Sequence, residues 1–267
     1  IEFHKQKNAD LTISVFDVPV REAKRFGVLE VNEKQEVINF QEKPENPVPS
    51  PHSPGNCLIS MGIYLFNTEV LVRRIIEDAK KPDSTHDFGK DVIPAMIGKD
   101  RVFAFPFTDE NRKETKYWKD IGTIEAYYEA NMDLVSVEPV LNLYDTQWPI
   151  RTFQEQLPPL KTVFSLGERI GMVLDSIIGG GCIISGGRVY RSVLSPWVRI
   201  NSYADVSESI LLDRVNVGRY CKIKRTIIDK NVVVPQGTII GYDPVEDRKR
   251  FVVSETGIVV IPKDYQW

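Results

Sequence analysis

The chain has 267 residues, in which 34 Lys and Arg nearly balance 37 Asp and Glu. This balance argues against non-specific binding to nucleic acid or to a membrane surface, and the length allows two hydrophobic cores. Hydrophobic residues make up 42% and charged residues 27%, as in ordinary globular proteins, and no apolar run approaches the roughly 20 residues that span a bilayer.

The cysteines Cys57, Cys182 and Cys221 are far apart and show no Cys-x-x-Cys spacing. An odd number of isolated cysteines supports neither a disulfide framework nor a zinc site, and the three histidines show no metal-ligand spacing. We therefore expect buried, inert thiols in a cytoplasmic protein. The first residues are neither a start methionine nor a signal peptide, and we expect that the chain begins inside a larger protein.

In the first half, short apolar runs predict strands and longer runs with helical spacing predict helices. The strands are expected at residues 11–18, 25–31, 37–40, 58–66 and 102–107, and the helical segments at 69–80, 87–94 and 124–134. A polar turn between the second and third strands makes them a β-hairpin. Proline-rich residues 44–55 and polar residues 108–116 predict loops.

An acidic and a basic residue, Glu42 and Lys43, follow the third strand. Pro44 then stops it, because proline has no N–H to give to a sheet ladder. Ligands of open α/β sheets bind at strand ends. A lysine held there suits a phosphate, and a carboxylate beside it suits sugar hydroxyls. The alternative is a solvated Glu-Lys pair at a turn.

The fourth strand carries Ser60, Gly62 and Tyr64 at every second position, so these residues share one face. A hydroxyl, a missing side chain and a phenol on one face suit a polar pocket. The alternative is that Gly62 lets a neighbouring element pack closely.

Asp120 precedes a Gly-Thr helix start, where nearby N–H groups hold a carboxylate. A carboxylate fixed in this way suits Mg²⁺, which takes oxygen ligands and often only one or two from protein. The alternative is a plain turn or cap residue. Trp118, two residues earlier, is either a core residue or a platform on which a sugar stacks.

The second half is predicted to be a β-helix after an irregular linker. We expect domains at 1–143 and 163–267, joined by the linker 144–162. Aliphatic residues then recur every six positions in three runs: Ile177, Ile183 and Val189; Leu211, Val217 and Ile223; and Ile227, Val233 and Ile239, the last run accompanied by Ile228, Val234 and Ile240. Steps of four, from Val189 to Val193 and from Ile223 to Ile227, mark turns where the coil shortens. This hexapeptide period predicts stacked coils of a parallel β-helix.

With both halves in view, the chain resembles the glucose-1-phosphate adenylyltransferase (ADP-glucose pyrophosphorylase) family of the bacterial glycogen pathway. The residues that carry the resemblance are Arg25-Phe26-Gly27-Val28, Phe40-Gln41-Glu42-Lys43-Pro44, Ser60-Met61-Gly62-Ile63-Tyr64, His86-Asp87-Phe88-Gly89-Lys90-Asp91-Val92-Ile93-Pro94, Tyr117-Trp118-Lys119-Asp120-Ile121-Gly122-Thr123, Cys182-Ile183-Ile184-Ser185-Gly186 and Val233-Val234-Pro235-Gln236-Gly237. The order of these motifs is more specific than any one of them.

The resemblance implies an α/β fold, in which the C-terminal part of a doubly wound nucleotidyltransferase domain is followed by a left-handed parallel β-helix. It implies that ATP and glucose 1-phosphate react to give ADP-glucose and pyrophosphate, with Mg²⁺. It also implies a homotetramer regulated by sugar-phosphate or nucleotide effectors.

Residue by residue, the resemblance implies that Lys43 binds the phosphate of glucose 1-phosphate and that Glu42 binds sugar hydroxyls. Ser60, Tyr64 and Trp118 would line the sugar pocket.

The other implied roles concern the metal and the effectors. Asp120 would be one of two metal-binding aspartates. Lys230 would contact an effector, and Arg248 and Arg250 are further candidates. These residues belong to a cluster of basic residues near the C-terminal end of the chain, and the alternative is that this cluster is simply a solvated face.

The family's glycine-rich loop, which cradles the ATP phosphates, and the partner aspartate do not occur in these residues. We therefore expect the chain to keep the sugar-phosphate side of the site, to lack the nucleotide side and to be inactive alone. The alternatives are an enzyme for another sugar 1-phosphate or nucleotide, and a non-catalytic regulatory subunit. The solenoid also suggests an acyltransferase, but residues 177–267 contain no histidine that could act as its base.

Overall fold

The structure is a computed structural model that describes residues 1–51, 53–107, 117–146 and 149–267. The chain divides into two compact units, Ile1–Lys116 and Tyr117–Trp267. The predicted loop 108–116 and two positions of the predicted linker, 147 and 148, lie outside the described residues. None of the described helices has the length and apolar character needed to cross a membrane.

The first unit contains short helices around one sheet. Its elements are α1 (Glu2–Gln6), β1 (Leu11–Pro19), α2 (Val20–Ala23), β2 (Gly27–Val31), β3 (Val37–Glu42), β4 (Asn56–Phe66), α3 (Thr68–Ala79), a π-helical segment (Phe88–Val92), α4 (Ile93–Met96) and β5 (Val102–Pro106). The predicted strands and the predicted β2–β3 hairpin are confirmed.

The sheet of the first unit has the strand order β3-β2-β4-β1-β5. Strand β1 pairs antiparallel with β4 and parallel with β5, so the sheet is mixed. Leu11, Ile13 and Val15 of β1 are fully buried, and they pack in one cluster with Ile93 and Met96 of α4. The core of this unit therefore lies between β1 and α4.

Strand β4 is interrupted by a bulge. Ile13 pairs with Tyr64 and Val15 pairs with Ser60, so three residues of β4 lie opposite one residue of β1. Gly62, inside the bulge, has a φ of +72°, and a Cβ added there would meet nothing within 4 Å. The alternative that Gly62 allows close packing is wrong, because glycine is needed here for its left-handed backbone.

The second unit begins with a helix that packs on the solenoid. Helix α5 (Ile124–Leu134) has the predicted bounds, and Thr123 caps it by accepting a hydrogen bond from the Ala126 N–H at 3.2 Å. Tyr128 is buried against Ile210 and Ile227 of the solenoid and donates from its hydroxyl to the Glu208 carbonyl at 2.7 Å. Helix α5 thus packs within the second unit, whereas the sequence places it in the first domain.

The rest of the second unit is built from short strands. They are β6 (Lys161–Val163), β7 (Ser165–Leu166), β8 (Arg169–Ile170), β9 (Met172–Leu174), β10 (Ile177–Ile178), β11 (Ile183–Ser185), β12 (Arg188–Tyr190), β13 (Val193–Leu194), β14 (Arg199–Ile200), β15 (Asp205–Ser207), β16 (Ile210–Leu211), β17 (Asn216–Val217), β18 (Lys222–Lys224), β19 (Thr226–Ile228), β20 (Val233–Val234), β21 (Ile239–Ile240), β22 (Val252–Val253) and β23 (Val259–Ile261), with α6 (Pro244–Arg250) after β21.

Most of these strands form three sheets of the predicted β-helix, with parallel pairing between successive coils. Strands β7 and β8 form a separate antiparallel pair, and β22 pairs antiparallel with β23. Arg188 lies opposite Asp205, and Asp205 lies opposite Lys222, so a coil takes 17 residues, one fewer than three hexapeptides. The phase of the aliphatic series therefore shifts between coils. Val233 and Ile239 are 59% and 53% exposed, whereas Val234 and Ile240 are buried. Of the two aliphatic series at these positions, the second one therefore lines the interior.

The hydroxyl groups of successive coils form a buried ladder. Ser209 Oγ donates to the Ser207 carbonyl at 2.7 Å and accepts from the Thr226 N–H at 3.2 Å. Ser192 makes the same two contacts one coil earlier, to the Tyr190 carbonyl and from the Ser209 N–H. Each hydroxyl gives a backbone N–H of the next coil its acceptor, and it donates to a carbonyl that also accepts a backbone N–H.

The cysteines behave as predicted. Cys57, Cys182 and Cys221 are all buried and unpaired. Burial raises the pKa of each thiol, so the reactive thiolate is disfavoured.

Candidate functional site

In the first unit, the predicted residues Glu42 and Ser60 lie on one row of the sheet, with Gly27 of β2 between them. Glu42 pairs with Gly27 across the β2–β3 hairpin. On the other side of β2, Val28 pairs with Ile59, so the next step of this antiparallel register sets Ser60 level with Gly27. The register therefore puts the end of β3 level with the middle of β4, with β2 between them.

The carboxylate of Glu42 lies over the backbone of two glycines. A Cβ added at Gly27 would lie 3.0 Å from Glu42 Oε2, and one added at Gly89 would lie 2.5 Å from the same oxygen. The Glu42 side chain is only 20% exposed. Its position therefore depends on the absence of side chains at both glycines.

Lys43 extends from the strand end into solvent. Its N–H donates to the Phe26 carbonyl at 3.0 Å, its φ is +49°, and its Nζ lies 3.7 Å from Glu42 Oε1. The Lys43 side chain is 64% exposed. A left-handed backbone at a non-glycine residue is strained, and such strain is common at functional sites. The ammonium is thus presented to solvent beside a half-buried carboxylate.

Tyr64 joins the same group through its ring and its hydroxyl. Ser60 Oγ donates to Tyr64 Oη at 3.4 Å, and the Tyr64 ring stacks on Phe88 with centroids 6.1 Å apart. Burial raises the pKa of Tyr64, and the negative charges of Glu42 and Asp87 raise it further. The phenol therefore stays protonated and keeps a hydrogen to donate. We call Glu42, Lys43, Ser60 and Tyr64 the strand-end cluster.

A turn to which the sequence alone assigns no role completes the wall of this cluster. Asp87 Oδ1 accepts from the N–H groups of Gly89 at 2.8 Å and Lys90 at 2.9 Å, which starts the π-helical segment. Because Gly89 lies under Glu42 and Phe88 lies on Tyr64, this turn fixes both. We call residues 84–91 the Asp87 turn. Its signal in the sequence is the capping aspartate two residues before a glycine.

The second unit holds Asp120 in a folded loop before α5. Asp120 Oδ1 accepts from the Gly122 N–H at 3.2 Å. Tyr117 donates from its hydroxyl to Asp133 Oδ2 at 2.9 Å, and Lys119 Nζ lies 2.6 Å from the same oxygen. The residues on either side of the half-buried Trp118 are thus tied to one carboxylate of α5.

The donor set around Asp120 decides which kind of metal ion it could hold. Among the described residues, no three His, Cys, Asp or Glu side chains come together in a way that could hold a metal ion. Asp120 offers a single carboxylate, fixed through one oxygen by a backbone N–H. This fits an ion that takes one or two protein oxygens and fills the rest of its shell with water and phosphate.

The three predicted effector residues have different neighbours within the second unit. Lys230 Nζ lies 4.0 Å from Asp213 Oδ2. The guanidinium of Arg250 lies over the rings of Phe251 and Trp267, at 4.7 Å and 5.7 Å from their centroids. Arg248 is exposed on α6.

Both halves of the chain match known protein families. Residues 1–137 match the family model described as nucleotidyl transferase, and residues 158–261 match the model described as GlmU-like, C-terminal hexapeptide. The first match covers more than half of the chain, so the chain belongs to the nucleotidyl transferase family. The predicted fold class, an α/β nucleotidyltransferase part followed by a left-handed parallel β-helix, is confirmed.

Among curated relatives, the chain is similar to three proteins named glucose-1-phosphate adenylyltransferase. The relative from Rhodopirellula baltica is 56% identical over 98% of this chain, the one from Koribacter versatilis 49% over 98%, and the one from Methylococcus capsulatus 47% over 99%. The chain spans 60%, 63% and 62% of the length of these relatives.

Proposed function

We propose that the chain carries the sugar-phosphate side of a glucose-1-phosphate adenylyltransferase. The whole protein would join ATP and glucose 1-phosphate to give ADP-glucose and diphosphate. The observation that carries the proposal is the meeting of Glu42, Lys43, Ser60 and Tyr64 at one place in the sheet, in a chain similar to relatives of that name. The domain bounds 1–143, 144–162 and 163–267 stay a prediction.

Each member of the strand-end cluster has a role that its chemistry supports. The exposed ammonium of Lys43 would bind the phosphate, and the Glu42 carboxylate would accept hydrogen bonds from sugar hydroxyls. The hydroxyls of Ser60 and Tyr64 would contact the same sugar. Trp118 is proposed as a further sugar contact, from the resemblance alone.

In this chemistry a phosphate oxygen of glucose 1-phosphate attacks the α-phosphorus of ATP, the new O–P bond forms and diphosphate leaves. The barrier falls mainly by positioning and by charge neutralisation. Lys43 would lower the repulsion between the two anionic reactants and hold the attacking oxygen. No side-chain nucleophile is required.

Asp120 is proposed to bind Mg²⁺. A divalent cation bound there would supply positive charge that neutralises phosphate oxygens, and the role of Asp120 would be to hold the cation in place. Paramagnetic broadening by Mn²⁺ of the amide signals of residues 119–123 tests this role. It should vanish in Asp120→Asn and persist in Asp175→Asn, which removes an exposed carboxylate elsewhere in the second unit.

Sugar-phosphate or nucleotide effectors are proposed to contact Lys230, Arg248 and Arg250, and the whole protein is proposed to be a homotetramer. The exposure of Lys230 supports a contact with an anion. A thermal shift with a panel of sugar phosphates should be lost in Lys230→Ala and kept in Lys222→Ala. Sedimentation of the whole protein tests the assembly.

Calorimetric titration with glucose 1-phosphate tests the proposed function. We expect binding by the unchanged chain and a loss of about tenfold or more in Lys43→Ala, since a charge-assisted contact to phosphate is worth about 1.5–3 kcal/mol. Lys34→Ala is the matched control, because Lys34 is an exposed lysine in the turn of the same hairpin. Equal affinity of Lys43→Ala and Lys34→Ala would show that Lys43 has no such role.

The same titration with mannose 1-phosphate and N-acetylglucosamine 1-phosphate tests the sugar. The proposal predicts that glucose 1-phosphate binds tightest. Tighter binding of another sugar 1-phosphate would favour an enzyme for that sugar instead.

A further inference from the structure

Asp78 is a buried carboxylate in an unfavourable place. It lies in the last turn of α3, where the helix dipole is negative and destabilises an anion, and its side chain is only 5% exposed. Burial of a charge adds a further cost unless donors surround it. The groups that surround Asp78 must therefore offset this cost.

The hydrogen-bond donors around Asp78 come from the first residues of the Asp87 turn. Ser84 Oγ lies 2.9 Å from both carboxylate oxygens, and His86 Nδ1 lies 2.9 Å from Oδ2. An ionised carboxylate only accepts, so both neighbours donate. Lys81 Nζ, at 3.8 Å from Oδ1, adds a positive charge. These contacts hold the pKa of Asp78 below its usual value, with the His86 bond as the largest cause.

The contacts also fix the backbone of the turn. The His86 N–H donates to Ser84 Oγ at 3.0 Å, and His86 itself has a φ of +60°. A left-handed backbone at a histidine persists only when its surroundings hold it. Asp78 therefore pins the residue immediately before Asp87.

The next residues of the turn touch the strand-end cluster directly. Gly89 lies under the Glu42 carboxylate, so close that a Cβ there would be 2.5 Å from Oε2, and Phe88 stacks on Tyr64. A displacement of the turn would therefore move Glu42 and Tyr64 while leaving Lys43 on its own strand end.

We propose that Asp78 is a positioning residue for the strand-end cluster, acting through Ser84, His86 and the Asp87 turn. This inference rests on the proposed function, because the cluster is taken to hold a sugar phosphate. Asp78 itself touches no substrate. Its effect falls on the sugar end, at Glu42 and Tyr64, more than on the phosphate end, at Lys43.

The test compares Asp78→Asn with Asp100→Asn in the full chain. Asp100 is an equally buried carboxylate, 4% exposed, that accepts from Arg73 and Arg74 of α3. Because both of these donors lie outside the Asp87 turn, Asp100→Asn controls for the loss of a buried charge in the same unit. His86→Ala is a second variant, of an exposed side chain, which keeps the test valid if Asp78→Asn does not fold.

Two readouts separate positioning from general destabilisation, both taken well below the melting temperature of each variant. Amide hydrogen exchange of residues 84–91 should accelerate in Asp78→Asn and His86→Ala and stay unchanged in Asp100→Asn. Affinity for glucose 1-phosphate should fall about tenfold in the first two variants, as for a small misplacement of contact groups. Affinity for inorganic phosphate should stay within about twofold, because Lys43 keeps its place.

Unchanged exchange in residues 84–91, or equal losses for glucose 1-phosphate and inorganic phosphate, would overturn the inference. Absence of glucose 1-phosphate binding by the unchanged chain would instead overturn the proposed function. In that case the exchange comparison alone decides whether Asp78 holds the turn.

Discussion

At the scale of single residues, the phenol of Tyr117 is the group whose ionisation is easiest to follow. Burial raises the pKa of Tyr117 to about 12, and the Asp133 carboxylate, which accepts its hydrogen bond, contributes to this rise. Because the folded pKa lies above the usual value of 10, this contact stabilises the fold below pH 10. The contribution is lost as the pH rises through the folded pKa.

We predict that Asp133→Asn lowers the pKa of Tyr117 below about 12, because the negative charge that opposes phenol ionisation is removed while burial remains. Ultraviolet titration of tyrosinate, with the Tyr117→Phe curve subtracted, isolates this one group among the 10 tyrosines. Glu129→Gln is the matched control, an exposed carboxylate on the same helix. An unchanged pKa in Asp133→Asn would mean that the two side chains do not meet.

At the scale of elements, the β-helix depends on corner contacts that recur once per coil. Gly186, Tyr203, Tyr220 and Gly237 are 17 residues apart and all have a left-handed backbone, with φ between 59° and 76°. Tyr203 and Tyr220 stack with ring centroids 4.8 Å apart. Each coil therefore turns at an equivalent place, whatever residue occupies it.

We predict that Ser209→Ala destabilises the protein by about 1–3 kcal/mol, because the Thr226 N–H then loses its acceptor in a buried corner. Chemical denaturation measures this loss. Ser165→Ala, at an exposed strand residue, should change stability by less than about 0.5 kcal/mol. Similar effects of both substitutions would contradict the role assigned to the hydroxyl ladder.

The ladder also shows where prediction from the sequence ends. The six-residue aliphatic period was enough to predict a β-helix, since apolar side chains must stack. The 17-residue coil was hidden, because one short step per coil looks like an irregularity. Ser192 and Ser209 carry no local signal, and their roles depend on coils that meet only after folding.

The same limit applies to the strand-end cluster. Glu42 and Lys43 were predictable because proline marks the strand end, and Asp120 because a helix start follows it. Asp78 and Gly89 were not, because their contacts join segments that are separated along the chain. The bulge at Gly62 could not be predicted either, because the alternation of Ser60, Gly62 and Tyr64 looks like that of a regular strand and does not reveal the two extra residues in β4.

At the scale of the whole molecule, the chain combines a nucleotidyl transferase part with a hexapeptide part. The strand-end cluster belongs to the first unit, and Asp120 with α5 belongs to the second. Substitutions in the hydroxyl ladder should therefore lower stability of the second unit without changing glucose 1-phosphate affinity, since the ladder and the cluster lie in different units.

Binding of a sugar phosphate at the strand-end cluster is the proposal on which the other roles depend. Its most direct test is mapping of amide chemical shifts as glucose 1-phosphate is added to the isotope-labelled chain. We predict that the largest shifts fall on residues 42–43, 60–64 and 87–89, and that they disappear in Lys43→Ala. Shifts concentrated elsewhere in the chain, or the same shifts in Lys43→Ala, would contradict the claim.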